Sequence, residues 1–310
     1  MKHFFETMYF SPKGYHYSLM VILFPLSLLY GIVMLARRMV RSPKAFDLPI
    51  ISVGNLMVGG SGKTPFVIAL ASVLEGVTVI SRGYGRLSRG MIEVSHHGKI
   101  LVDVEQSGDE PMLMARSLPK CSVIVSEERV QAIALAKERG AKVIILDDGF
   151  NRVEIKKFEI LLEPEKIKNY LPFPSGGFRE FWFIKSLADM VLKEGIDFTR
   201  EVEIVNPTER MVLLTAISNP QRLDKFLPHN LLAKKYLEDH AYFDAPMLKG
   251  YMDEYQASSL LCTSKDKVKL NHLDITLSEM KLKLVLDNDI MTKIDLYIKG
   301  YKFEREDRSR

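Results

Sequence analysis

Short apolar, β-branched runs alternate along the chain with stretches whose apolar residues recur at helical spacing. "DLPIISVGN" reads as a buried strand and "TPFVIALASVLEGV" as the helix after it. "VTVISRGYGR" is a further strand, closing in a glycine-rich basic turn at Arg82, Gly83, Tyr84, Gly85 and Arg86. "CSVIVSEER" predicts a strand and turn, "VQAIALAKERG" a helix, and "AKVIILDDGF" another buried strand. This order predicts a mostly parallel sheet with helices on both faces and ligands near the carboxyl ends of the strands. Residues 156–183 show no period and read as an irregular, functional loop. From "ERMVLLTAISNPQRLDKFL" a second pattern begins: strand, Asn-Pro turn and helix, then "LEDHAYF", then a strand over "SSLLCTSKDKVKL". Three segments follow: an apolar one over 1–45, a main α/β domain over 46–206 and a smaller α/β domain over 207–310. The charged end from Tyr301 to Arg310 is expected to face solvent.

The first segment contains "SLMVILFPLSLLYGIVMLA", nineteen residues from Ser18 to Ala36 without a charge, followed by Arg37, Arg38, Arg41 and Lys44. That length is marginal for crossing a bilayer. A span or re-entrant anchor, a helix lying among lipid headgroups and a buried core helix are the three readings, and the arginine cluster disfavours the third. Positive charge after the segment orients the rest of the chain to the cytoplasmic face. A cleaved signal peptide is disfavoured, because the basic cluster follows the apolar run instead of preceding it.

With 310 residues and 47% hydrophobic content, the chain can build two cores. A net charge of +4 without a long basic run gives no reason to expect nucleic acid, though it suits an acidic membrane surface. The two cysteines, Cys121 and Cys262, lie in apolar stretches and read as buried thiols of a reducing compartment.

The candidate chemistry lies in "VGNLMVGGSGKTPF", Val53 to Phe66. It matches the phosphate-loop pattern G-x-x-x-x-G-K-[ST] except that Met57 stands at the first glycine. Such a loop points backbone N–H groups at an anion and opens an electropositive helix end. Gly59, Gly60, Ser61, Gly62, Lys63 and Thr64 would hold the nucleotide, Lys63 on the β- and γ-phosphates and the Thr64 hydroxyl on magnesium. Asp147 and Asp148, ending the strand "VIILDDGF", suit a metal-binding acid, with Asp147 the first choice. The expected cofactors are a nucleoside triphosphate and Mg²⁺. A GTP-binding switch protein would carry N-K-x-D at a strand end, and "CTSKDK" does not supply it.

Together, "ISVGNLMVGGSGKTPF", "SRGYGR", "SGDEPMLMA", "SEER", "VIILDDGF", "AISNPQR", "EDHAYF" and "TSKDKVKL" resemble the tetraacyldisaccharide 4'-kinases, in that family's order from Ile51 to Leu270. The resemblance implies a phosphate-loop NTPase-like α/β fold with a second, smaller α/β domain and a membrane-associated N-terminal helix. It implies transfer of the ATP γ-phosphate to the 4'-hydroxyl of a tetraacylated glucosamine disaccharide 1-phosphate in lipid A biosynthesis. That work falls on the cytoplasmic face of the bacterial inner membrane, with no obligate protein partner. Asp109 in "SGDEP" matches the family's catalytic aspartate, and His240 in "EDHAYF" the histidine that pairs with it from the other domain, so that closure would complete the site. Asp239, Asp147 and Asp148 match acidic positions, and Arg129 and Arg179 resemble arginines that meet phosphate. The bland alternatives are a helix-capping Asp109, a surface His240 and a solvated Arg129. A membrane-anchored ATPase or GTPase without a small-molecule acceptor is the rival, as is a kinase-like protein that binds lipid without transfer. The chain departs from the family with Asn151-Arg152-Val153 after "DDGF" and with the loop "YLPFPSGGFREFW".

Overall fold

A computed structural model describes residues 2–59, 62–164, 166–217, 220–238, 241, 243–270 and 273–307. Along the chain come α1 (Lys2–Phe10), α2 (Gly14–Val40), β1 (Ile50–Gly54), α3 (Lys63–Val73), β2 (Val77–Ser81), β3 (Ile92–His96) and β4 (Lys99–Ile100). Next are α4 (Val104–Ser107), α5 (Asp109–Ser117), β5 (Ser122–Val125), α6 (Arg129–Glu138), β6 (Val143–Asp147) and β7 (Phe158–Glu163). A 3-10 helix (Trp182–Leu187) leads to β8 (Met190–Lys193), β9 (Phe198–Val205) and β10 (Met211–Thr215). A second 3-10 helix (Pro220–Phe226), β11 (Leu231–Tyr236), α7 (Ala245–Tyr255), β12 (Ser259–Thr263), α8 (Ser264–Leu270), β13 (Leu277–Leu286) and α9 (Asn288–Asp307) complete it. The fold is α/β with mostly parallel strands, as the alternation predicts. Two compact units interleave along the chain: Met1–Lys63, Lys142–Thr199 and Leu286–Arg310 form one, Thr64–Ala141 and Arg200–Val285 the other.

In the first unit the parallel strands stand in the order β6, β1, β7, β8, with Ile51 opposite Ile145 on one side and Phe158 on the other. Every residue of β1 and β6 is buried, so these runs are apolar throughout and do not alternate. β7 lies inside the stretch expected to be irregular. Only Ile160, Leu161 and Leu162 of it are buried apolar residues, and its other end carries Glu159, paired with Lys157 at 2.7 Å. A buried ion pair at the start of a strand weakens the hydropathy signal that would reveal it. α9 continues to Asp307, through most of the end expected to be solvent-facing. Its Tyr297 hydroxyl donates to the Ile50 carbonyl at 3.0 Å, and its ring meets Phe158 at 5.0 Å.

α2 is 27 residues long and is the one described helix long and apolar enough to cross a membrane, by length and composition. Its inner face carries Met20, Ser27 and Gly31. Ser175 donates its amide to Ser27 Oγ at 2.9 Å and its hydroxyl to the Met20 carbonyl at 3.0 Å. Gly31 lies so close to the Phe181 ring that a Cβ there would sit 2.4 Å from it. Arg38, part of the basic cluster, does not face outward. It ion-pairs with Glu180, which is 2% exposed, and lies 4.4 Å over the Phe150 ring.

In the second unit, β2 pairs parallel with β5, and β3 pairs antiparallel with β5 and β4. A five-stranded sheet runs β11, β10, β12, β13, β9. Val212, Leu214, Leu260 and Cys262 form the core on one of its faces, Met211, Leu213, Leu261 and Met280 the core on the other. Both cysteines are buried free thiols. The strand expected over "SSLLCTSKDKVKL" ends at Thr263, and the remainder is α8. Thr263 starts that helix: its Oγ1 accepts from the Asp266 amide at 3.2 Å and donates to Asp266 Oδ2 at 2.7 Å. The helix expected after the Asn-Pro turn is the short 3-10 helix.

Candidate active site

The turn after β1 has the geometry its glycines require. Gly59 and Gly62 hold φ values of 99° and 76°, a region costly for any residue with a Cβ. Gly60 and Ser61 lie outside the described residues. Lys63 opens α3. Its Nζ donates to Asn55 Oδ1 at 2.9 Å and lies 3.4 Å from Asp148 Oδ1. Arg179 Nη1 meets both oxygens of the same carboxylate, at 3.0 and 2.8 Å. Burial by itself would push the Asp148 carboxyl up, but Lys63 and Arg179 together hold it below the usual carboxylate range. Two cations thus converge on one acid beside a loop built to take an anion, and an arriving phosphate offers the same cations a second acceptor. Asn55 is a site residue the sequence did not reveal; a strand-end asparagine is too common to signal a lysine partner.

The 171–180 segment is built against this loop. The Val58 amide donates to Gly177 O at 2.8 Å and the Arg179 amide to Leu56 O at 2.7 Å, while Met57 bridges to Phe178. Met57 is 5% exposed, packed with Leu56, Phe150, Leu161, Phe178 and Ile184. Here lies the reason for the missing glycine: position 57 contributes a core side chain. Met57→Gly is expected to lower stability by about 2–5 kcal/mol through the cavity, plus about 1 kcal/mol of backbone entropy. Denaturant titration reads this, and an unchanged midpoint contradicts it.

Thr64, in the first turn of α3, is 8% exposed, and Asp147, the last residue of β6, is 4% exposed. Among the described residues no three His, Cys, Asp or Glu side chains cluster as a metal cage. One hydroxyl and one carboxylate are hard oxygen donors, and magnesium usually takes few protein ligands beside water and phosphate. Each is a donor type that magnesium accepts.

Asp109 is the first residue of α5, whose N-cap is Gly108, so it is not the capping residue. Its Oδ2 lies 2.8 Å from Lys269 Nζ, with the two side chains 13% and 7% exposed. Lys269 also donates to the Ala241 carbonyl at 3.2 Å, next in sequence to His240. His240 and Asp239 lie outside the described residues. α8 carries further ties. Asp266 accepts from Thr215 Oγ1 at 2.7 Å and the Ala216 amide at 3.0 Å. Burial pushes its carboxyl up despite these bonds. Lys265 stands 3.6 Å from Glu110, and Arg116 donates to Val268 O at 3.5 Å. Arg129, 2% exposed at the start of α6, donates through Nη1 to the carbonyls of Ser81 (3.0 Å) and Ser126. Those bonds join the ends of β2 and β5.

A buried strand, a glycine turn, a lysine at the helix start and an acid at the tip of the adjacent parallel strand define a phosphate-loop nucleotide-binding protein. The family model for LpxK, tetraacyldisaccharide-1-P 4'-kinase, matches residues 19–206, and the chain belongs to that family. It is 43% identical over 309 residues to the tetraacyldisaccharide 4'-kinase of Helicobacter pylori (strain HPAG1), covering 99% of this chain and 98% of that protein. With the enzyme of the same name from Aliarcobacter butzleri it shares 43% over 306 residues, 96% and 97% of the two chains. The crystal structure of LpxK from Aquifex aeolicus in complex with ATP superimposes with a TM-score of 0.77 at 28% identity, covering 91% of this chain and 99% of that one. Membership makes this an ATP-dependent phosphotransferase of lipid A biosynthesis, and the switch-protein reading is not favoured.

Proposed function

We propose that this kinase moves the γ-phosphate of ATP to the 4'-hydroxyl of a tetraacylated glucosamine disaccharide 1-phosphate, with its residues in the following roles. Lys63 and Arg179 exchange Asp148 for phosphate oxygens and offset the charge that develops in transfer. The observation that carries this reading is the Lys63–Asp148–Arg179 cluster beside the glycine turn. Asp109 accepts the proton of the sugar hydroxyl, and His240 supports it. Thr64 and Asp147 would hold magnesium, which when bound supplies Lewis-acid stabilisation of the phosphate oxygens. Arg129 acts towards phosphate only if it exchanges its carbonyl partners for it. The functional division in this reading is 1–45, 46–206 and 207–310.

The membrane surface is the second partner. The outer face of α2 exposes Val21, Ile22, Leu26, Leu29, Ile32 and Val33, a stripe that a helix in water would make polar. Its inner face is committed to Ser175 and Phe181. A helix apolar outside and anchored inside suits one lying in the interface of the cytoplasmic leaflet. Working there leaves the acyl chains in the bilayer and avoids about 0.8 kcal/mol per exposed CH₂. Neither nucleic acid nor an obligate protein partner belongs to this reading. The test is label transfer from γ-labelled ATP to the lipid in detergent micelles with magnesium. Labelled lipid is expected; free phosphate released with or without lipid, and no labelled acceptor, would sink the reading. In flotation with anionic vesicles the wild type is expected to float, and Ile22→Asp/Leu29→Asp to stay at the bottom; equal flotation removes α2 from the contact.

A further inference from the structure

We infer that Lys269 is a positioning residue for Asp109, orienting its carboxylate and tying it to the segment that carries His240. The inference rests on the reading of Asp109 as the base. An ammonium group taken out of water is costly unless charge and hydrogen bonds compensate it. The compensations of Lys269 include Asp109 Oδ2 at 2.8 Å, the Ala241 carbonyl at 3.2 Å and the Phe243 ring at 5.9 Å. The first belongs to α5, and the other two follow residue 240 in sequence. One buried cation therefore joins Asp109 of α5 to Ala241 and Phe243.

A purely structural clamp between α5 and α8 is already supplied elsewhere, by Lys265 with Glu110 and by Arg116 with the Val268 carbonyl. What Lys269 adds is a hold on the carboxylate itself. A carboxylate gripped through one oxygen loses its free rotation, so its other oxygen presents itself in one direction, and a base needs that direction set. Asp266, one turn before Lys269, fixes α8 to the ends of β10 and β12 through Thr215, Ala216 and Thr263. The cation therefore stands on a rigid support.

The test compares full-length wild type, Lys269→Met, Lys269→Arg, Asp109→Asn and the Asp109→Asn/Lys269→Met pair in lipid-dependent transfer, with melting midpoints beside them. Lys269→Met is expected to lower kcat by about 10–100-fold with the KM for ATP held within about threefold, the split that separates positioning from general unfolding. Lys269→Arg is expected to recover most of the lost rate. The double variant is expected to be no slower than Asp109→Asn, because without the base there is nothing to orient. Unchanged kcat in Lys269→Met, or a double variant in which the two losses multiply, overturns the inference and leaves the base reading standing. Full kcat in Asp109→Asn overturns the base reading and the inference with it. If Lys269→Met melts below the assay temperature, Lys269→Gln takes its place with the same two outcomes.

Discussion

Asp109→Ala is expected to lower kcat for lipid phosphorylation by about 10²–10⁴-fold, the usual contribution of a positioned base. ATP binding should change little, because Lys63, Asn55, Asp148 and Arg179 form their own network. The same substitution also strands Lys269, whose side chain is 7% exposed, without its carboxylate. Removing one partner of a buried pair costs about 3–5 kcal/mol, so a lower melting midpoint is expected too. Asp109→Asn keeps a carbonyl for Lys269 and separates the two effects: its rate should fall almost as far while stability falls less. Steady-state transfer and thermal melts check both. An Asp109→Asn enzyme with a wild-type kcat would take the base away from this position.

Lys63→Ala is expected to be the other severe loss. Removing one preorganised donor to developing charge costs about 10²–10³-fold in kcat, and the KM for ATP should rise because, in the role proposed for it, the lysine also meets phosphate in the ground state. The apo network adds a second signature. In the wild type Lys63 and Arg179 hold the Asp148 carboxyl below its usual range against the effect of burial. A depressed carboxylate contributes stability that is present above its unfolded pKa and is lost as pH falls through the folded one. Lys63→Ala removes the first of the two cations, so that contribution shrinks. The gap in melting midpoint between wild type and variant should therefore be widest near neutral pH and narrow on acidification below the usual carboxylate range. A gap that widens in acid would contradict the coupling of Lys63 to Asp148.

The parts of this protein legible in its sequence are those whose physics is local. β1 and β6 announce themselves as unbroken apolar runs because both faces of the strands are buried. Gly59 and Gly62 mark the phosphate loop because its left-handed φ values favour glycine, and Lys63 because the pattern sets a cation at the helix start. Asp147 at the end of β6 and Asp148 just after it are read from position alone. Other features depend on partners far along the chain and escape such reading. β7 is held by its pairing with β1, and α8 by the bonds of Asp266 to Thr215 and Ala216.

By itself, then, the sequence determined the α/β alternation, the anion-binding turn and the apolar first segment, each written in consecutive residues. The tertiary structure decided that Met57 belongs to a core with Phe150 and Phe178, that Arg38 turns inward to Glu180, and that Asp109 meets Lys269. Burial and ion pairing are properties of neighbours in space. The periodicity of a chain reports only whether a position wants to be covered, and the fold chooses what covers it.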